Sequence, residues 1–110
     1  MKRSLNLHYI LDGRTPVPVA NVLELAMWFE VGDNRRIASD QIGDVWVSTV
    51  FLGLDHSHGP PGSVPILFET MAFRDKEELA CERYASYEEA EAGHTAMLQR
   101  VVDGTLGLSV

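Results

Sequence analysis

The hydrophobic pattern changes period several times along the chain. Leu7 to Leu11 is a short β-prone run, and Asp12-Gly13 supplies the turn that ends it. Pro16 and Pro18 hold the next residues extended, because a proline disfavours helix at the residue before it. Pro18 can also open a helix, since a proline in the first turn gives up no needed N–H. From Val19 to Val31 the period is helical. Val19, Val22, Ala26 and Phe29 fall on one face at spacings of three and four, Leu23 and Leu25 broaden that face, and Asn21 and Glu24 lie opposite. Gly32 is placed to stop this helix by taking a left-handed conformation.

From Ile37 the period becomes two. Ser39 and Gln41 alternate with Ala38, Asp40 and Ile42, a polar strand suited to a sheet edge. Gly43-Asp44 is a two-residue hairpin signal. Val45 to Leu54 (VWVSTVFLGL) is rich in the β-branched and aromatic residues that fit a pleated surface. A loop containing His58, Pro60 and Pro61 leads to a strand at Ile66–Phe73 (ILFETMAF). A charged turn from Arg74 to Glu78 precedes a further short strand near Cys81 to Ala85. Ser86-Tyr87-Glu88-Glu89 fits a capping box at the start of the last helix. Ala90, Met97 and Val101 share one face of that helix, Gly93 and His94 sit beside it, and Asp103-Gly104 ends it.

The predicted order is β-α-β-β-β-β-α. Strands joined by short turns favour antiparallel pairing. The expected fold is therefore α+β, an antiparallel sheet of four to five strands with two helices packed on one face. Residues 1–105 form one domain and 106–110 a C-terminal tail.

The two central strands do not alternate cleanly between apolar and polar. One strand puts Val45, Val47, Thr49 and Phe51 on one face and Trp46, Ser48, Val50, Leu52 and Leu54 on the other. The next puts Ile66, Phe68, Thr70 and Ala72 on one face and Leu67, Glu69, Met71 and Phe73 on the other. A sheet with one wet face alternates. Two helices cover one side only, so the second apolar face calls for a partner. A second copy of the chain is the expected one, as a homodimer or higher homo-oligomer, because most soluble oligomers are symmetric. The alternatives are the chain's own loops, an apolar ligand, or a host protein.

Composition narrows the function classes. The 110 residues carry 9 Lys and Arg against 16 Asp and Glu, a net charge of −7, which disfavours a nucleic-acid-binding domain. A single cysteine, Cys81, forms no internal disulfide and no Cys-x-x-Cys pattern. No apolar leader core follows Lys2 and Arg3, and no run is long enough to cross a membrane, so the expected location is the cytoplasm.

Candidate chemistry is scattered. Asp55, His56 and His58 enter the loop after the central strand and could ligate a metal with Glu69, but their spacing matches no standard signature, and no metal or other cofactor is expected. Asp55 equally well satisfies turn N–H groups. Glu69, inside an apolar strand, needs a cation such as Arg83 or acts as a base or ligand anchor. His94 near the apolar helix face is expected to be packed and hydrogen-bonded rather than catalytic. Cys81 with His94 could be drawn as nucleophile and base, against the simpler reading of a buried thiol. Arg14, Arg35 and Arg36 could grip a carboxylate or phosphate. Trp28 and Trp46 could stack on a flat ligand, with packing as the default. The common catalytic fingerprints are absent from the sequence, so no catalytic residue is assigned.

Three stretches taken together carry a resemblance: YILDGRTPVPV (Tyr9 to Val19), GDVWVSTVFLGLDH (Gly43 to His56), and ILFETMAF with ERYASYEEAEAGH (Ile66 to His94). They resemble a family of small proteins of tailed bacteriophages and prophages, over Tyr9 to Arg100. The resemblance brings no activity and no catalytic residues. It implies a phage-encoded protein working in a bacterial host cytoplasm. The expected function is a non-enzymatic binding protein, a counter-defence factor sequestering a small anionic or nucleotide-like ligand through Arg14, Thr49, Phe51, Asp55, His56, Glu69 and Arg83. The alternatives are an acidic module that blocks a host protein, using Glu77, Glu78, Glu88, Glu89 and Glu91, and a small metal-dependent hydrolase.

Overall fold

The computed structural model describes residues 8–30, 34–57, 60 and 63–106. Eight elements follow one another: β1 (Tyr9–Asp12), β2 (Thr15–Pro18), α1 (Val22–Phe29), β3 (Arg36–Ile42), β4 (Val45–Phe51), β5 (Phe68–Arg74), β6 (Glu77–Tyr84) and α2 (Tyr87–Asp103). β3 to β6 form an antiparallel meander in the order β3-β4-β5-β6, as the alternating pattern predicts, with the polar strand β3 at an edge. The fold is α+β.

The elements end where the sequence supplies the chemistry to end them. Gly43 takes φ +60° in the turn between β3 and β4. Ser86 and Glu89 close both halves of the capping box that opens α2. Gly104 caps its end in the left-handed conformation.

The first thirty residues depart from expectation. The extended run at Pro16 and Pro18 is a strand, β2, paired to β1 in a separate hairpin. Helix α1 opens at Val22 rather than Pro18, with the Asn21 side chain accepting from the Glu24 N–H. The expected stop at Gly32 and the residues Leu7, Val31 and 107–110 lie outside the described residues. At the chain's far end, Leu106 packs against the core instead of belonging to a loose tail.

Helix α2 lies along one face of the meander and buries Ala90, His94 and Met97 against it. Two clusters make up the core. One joins Val45, Val47, Ala72 and Met97. The other joins Phe51, Leu67, Phe68 and Ala90, with Tyr9, Leu11 and Trp28 packed on it from β1 and α1. The Trp28 ring meets Phe51 edge-on at 5.6 Å, so α1 reaches the same side of the sheet as α2, at its end.

The buried side of α1 is not the one its spacing suggests. Leu25 is buried and Trp28 and Phe29 half-buried, while Val22, Leu23 and Met27 are 61, 64 and 61 % exposed. The cause is Gly53. A Cβ on it would lie 2.6 Å from Phe29 Cζ and 3.1 Å from Leu25 Cδ1, so this stretch of bare backbone takes the Leu25–Phe29 side of the helix.

Candidate functional site

Strand register decides which side chains share a face. Thr49 opposes Thr70 and Ala38, and Thr70 opposes Glu82, so these point towards α2. The opposite parity gives the second face: Ser39 and Gln41 on β3, Trp46, Ser48 and Val50 on β4, Glu69, Met71 and Phe73 on β5, Cys81 and Arg83 on β6. No described helix packs over this second face.

Its middle is mostly apolar, with the buried Ser48 between Trp46 and Val50, and its rim is polar. Trp46 and Phe73, directly paired across strands, stack with centroids 5.5 Å apart, and Val50 and Met71 lie half-buried beside them. Trp46 is 38 % exposed, a large indole surface for a side chain on a sheet. Its Nε1–H donates to Ser39 Oγ at 2.7 Å, and the Arg36 guanidinium stands over its ring at 6.0 Å. Gln41, Asp44, Trp46, Phe73 and Asp75 line an open depression of about 360 Å³ at one end. Across the sheet, Arg83 Nε donates to Glu69 Oε2 at 3.0 Å, so the strand-interior glutamate has the cationic partner expected for it. The Cys81 thiol donates to the same oxygen at 3.4 Å. Burial, with the Glu69 charge beside it, pushes this thiol up to about 11, far from thiolate chemistry near neutral pH. Cys81 and His94 lie on opposite faces of the sheet, which removes the nucleophile–base pairing.

The seven candidate ligand contacts do not converge. Thr49 and Phe51 are fully buried beneath α2, so neither can meet a ligand at the surface. Glu69 and Arg83 face the other way and pair with each other. Arg14, in the β1–β2 turn, ion-pairs with Glu91 of α2 and stacks 4.6 Å over the Tyr87 ring. Asp55 and His56 sit in the loop after β4. There the Asp55 carboxylate accepts the N–H groups of Ser57 (2.8 Å) and Ile66 (2.9 Å), and the His56 N–H donates to the Ile66 carbonyl. Asp55 is thus a loop fastener. His58 lies outside the described residues, and among those described no group of three or more His, Cys, Asp or Glu side chains could hold a metal.

Partial burial by itself would raise the Asp55 carboxyl, but the two backbone donors outweigh it and hold the group below its ordinary 3.8. A carboxylate depressed on folding adds stability above its unfolded value, and that stability is lost as pH falls through the folded value. Asp55→Asn keeps an acceptor oxygen and drops the charge. Melting the two proteins at about pH 7 and about pH 3 is expected to show the wild type ahead at neutral pH and the gap closing in acid. A gap that persists unchanged in acid contradicts this account of the loop.

Sequence reasoning missed a buried polar chain under α2. His94 Nε2 lies 2.8 Å from Asp40 Oδ2, and its Nδ1 lies 2.7 Å from Thr49 Oγ1. Thr49 Oγ1 is hydrogen-bonded to Thr70 Oγ1. The available signal was two threonines on the helix-facing parity of two adjacent apolar strands. His94 itself is packed and hydrogen-bonded as expected, with side chains as its partners.

No described helix is long and apolar enough to cross a membrane. Compared with known proteins, the chain matches no family model, no curated protein and no solved structure.

Proposed function

We propose that this chain is a non-enzymatic binding protein that self-associates through the sheet face opposite α2. The observation that carries the reading is that Trp46, Phe73, Met71 and Val50 share a face, with Ser48 between Trp46 and Val50, that no described helix covers. Side chains with an apolar centre and a polar rim have the anatomy of a protein interface. Ser39, Gln41 and the Glu69–Arg83 pair supply the rim. A binding role also fits the state of the polar groups singled out as candidate chemistry. Asp55, Glu69, Arg83, Arg14 and His94 each make a hydrogen bond or ion pair within the fold.

In the phage context suggested by the sequence resemblance, such a protein would act in the host cytoplasm as a counter-defence factor. A partner protein is a better occupant than the small anion expected from the sequence. Thr49 and Phe51 are unavailable, and Arg14 and Arg83 are already ion-paired.

Sedimentation equilibrium over a range of concentrations tests the reading. The wild type is expected to run as a dimer. Met71→Glu, which puts an unpaired charge at the centre of the face, is expected to weaken association by about a hundredfold or more. Circular dichroism of the variant monitors its fold. A wild type that stays monomeric throughout, or a folded Met71→Glu that associates as the wild type does, overturns the proposal.

A further inference from the structure

Three rows of side chains cross the sheet on the face opposite α2. The middle row is Ser39, Ser48, Met71 and Cys81, each directly opposite the next on the neighbouring strand. On one side of it lies the row Gln41, Trp46, Phe73 and Glu78, and on the other the row Arg36, Val50, Glu69 and Arg83.

The outer rows carry opposite charge where they reach solvent. At the Trp46 end, Glu78 is exposed, and Asp44 and Asp75 border the depression beside Trp46 and Phe73. Arg74, which pairs with Asp44, stems from the α2 side of the sheet opposite Val45, and Lys76 sits at the tip of the β5–β6 turn, beyond the rows. At the Val50 end the exposed charges are Arg36, whose guanidinium reaches over Trp46, and Arg83. Glu69 belongs to this row too, but its side chain is 13 % exposed against 45 % for Arg83. Their bond runs through Arg83 Nε, one of five N–H donors on the guanidinium.

A twofold axis can relate two such faces, packed with their strands aligned, in two ways. An axis along the strands lays each outer row over the same row of the second copy, cations against cations and acids against acids. An axis along the middle row exchanges the outer rows. Glu78 then lies over Arg83 of the second copy, Trp46 over its Val50, and Met71 over its Met71. Like charges set against each other suppress the first arrangement, and opposite charges fix the register of the second.

We propose, resting on self-association through this face, that the second copy packs with its strands reversed end for end, Glu78 of each copy meeting Arg83 of the other. Packed sheets lie about 10 Å apart, a gap that a glutamate and an arginine reaching towards each other can span. Each contact occurs twice, once on either side of the axis. The strand β6 thus carries both halves of the recognition, an acid near its start and a cation near its end.

Mixing two variants tests the pairing. Arg83→Glu and Glu78→Arg each set two like-charge contacts into a homodimer, and each is expected to self-associate about tenfold more weakly than the wild type in sedimentation equilibrium. In a 1:1 mixture the heterodimer sets one reversed site against the other and the two native residues against each other. Association is then expected to return to about the wild-type strength. Circular dichroism monitors the fold of both variants. Isotope-filtered nuclear magnetic resonance of labelled and unlabelled wild type, mixed 1:1, needs no variant. It is expected to show contacts between the Trp46 ring and the Val50 methyl groups across chains, since four residues of strand, about 13 Å, separate the two within one chain. The proposal is overturned by folded variants that associate as the wild type does, by a mixture that associates no more tightly than its components, or by a spectrum that joins Trp46 to Phe73 of the other copy and not to Val50. A wild type that stays monomeric removes the self-association reading and this one with it. A dimer that fails the mixing or the contact test keeps that reading and loses only its orientation. Should Arg83→Glu not fold beside Glu69, the wild-type spectrum decides the matter.

Discussion

Gly93→Ala is expected to destabilise the protein by about 2 kcal/mol, although alanine at an unobstructed helix position stabilises by about 1 kcal/mol relative to glycine. The sign turns on one contact. Gly93 sits in the middle of α2, and a Cβ there would lie 2.1 Å from both Cζ and the hydroxyl oxygen of Tyr84. That distance is far inside van der Waals contact, so something must move. An exposed side-chain end would move at little cost. Tyr84 is a stiff, half-buried ring on β6, fixed opposite Phe68, with no flexible end to swing aside. Overpacking costs about 1–3 kcal/mol, more than the gain in helix propensity of about 1 kcal/mol. Urea unfolding at one fixed protein concentration measures the difference, since association would otherwise shift the midpoint. Trimming the ring with Tyr84→Ala in the same chain removes the obstruction, so the double variant should lose less than the two single losses added. A Gly93→Ala midpoint at or above the wild type refutes the close approach of β6 and α2.

The parts of this fold that were legible in the sequence are those whose causes are local. Gly43 and Gly104 adopt the left-handed conformations their positions imply, and Ser86 with Glu89 closes the capping box they spell. Strand β3 follows from its period of two and β4 and β5 from their β-branched and aromatic content between turn residues, while β6 starts at Glu77, inside the stretch expected to be a turn. The face of α1 was not legible, because VLELAMWF is apolar almost all round and offers no polar side to exclude. What chose the face was Gly53, a residue more than twenty positions away. The candidate site fared worse for a reason the sequence did contain. Thr49 and Phe51 share one parity, and Glu69, placed opposite Val50, has the other, so these side chains could never converge on one ligand. The polar chain from Asp40 to Thr70 needs the register of three strands, β3 to β5, together with the placement of α2. No single stretch of sequence encodes it.

Thr49→Val is expected to cost about 3 kcal/mol, a large loss for exchanging one hydroxyl for a methyl group of nearly the same size. Thr49 is fully buried and is the middle link between two polar groups. Valine packs at least as well against Val47 and Phe51, so the apolar contribution favours the variant slightly. Against that, the substitution leaves both His94 Nδ1 and the Thr70 hydroxyl without their hydrogen-bond partner in a buried site. Each buried polar group left unpaired costs about 1–3 kcal/mol, so the pair outweighs the gain. Two further variants separate this cause from a packing defect. Thr49→Ser keeps the oxygen and loses only a methyl group, with an expected cost of about 1 kcal/mol. Thr49→Val combined with His94→Leu removes both members of one broken bond and leaves the exposed Asp40 to water. Its loss should therefore fall well short of the sum of the single losses. Unfolding midpoints of the four proteins at equal concentration provide the comparison. If Thr49→Val matches the wild type, or if Thr49→Ser is the worse of the two, the hydroxyl chain contributes nothing to stability and α2 is held by its apolar contacts alone.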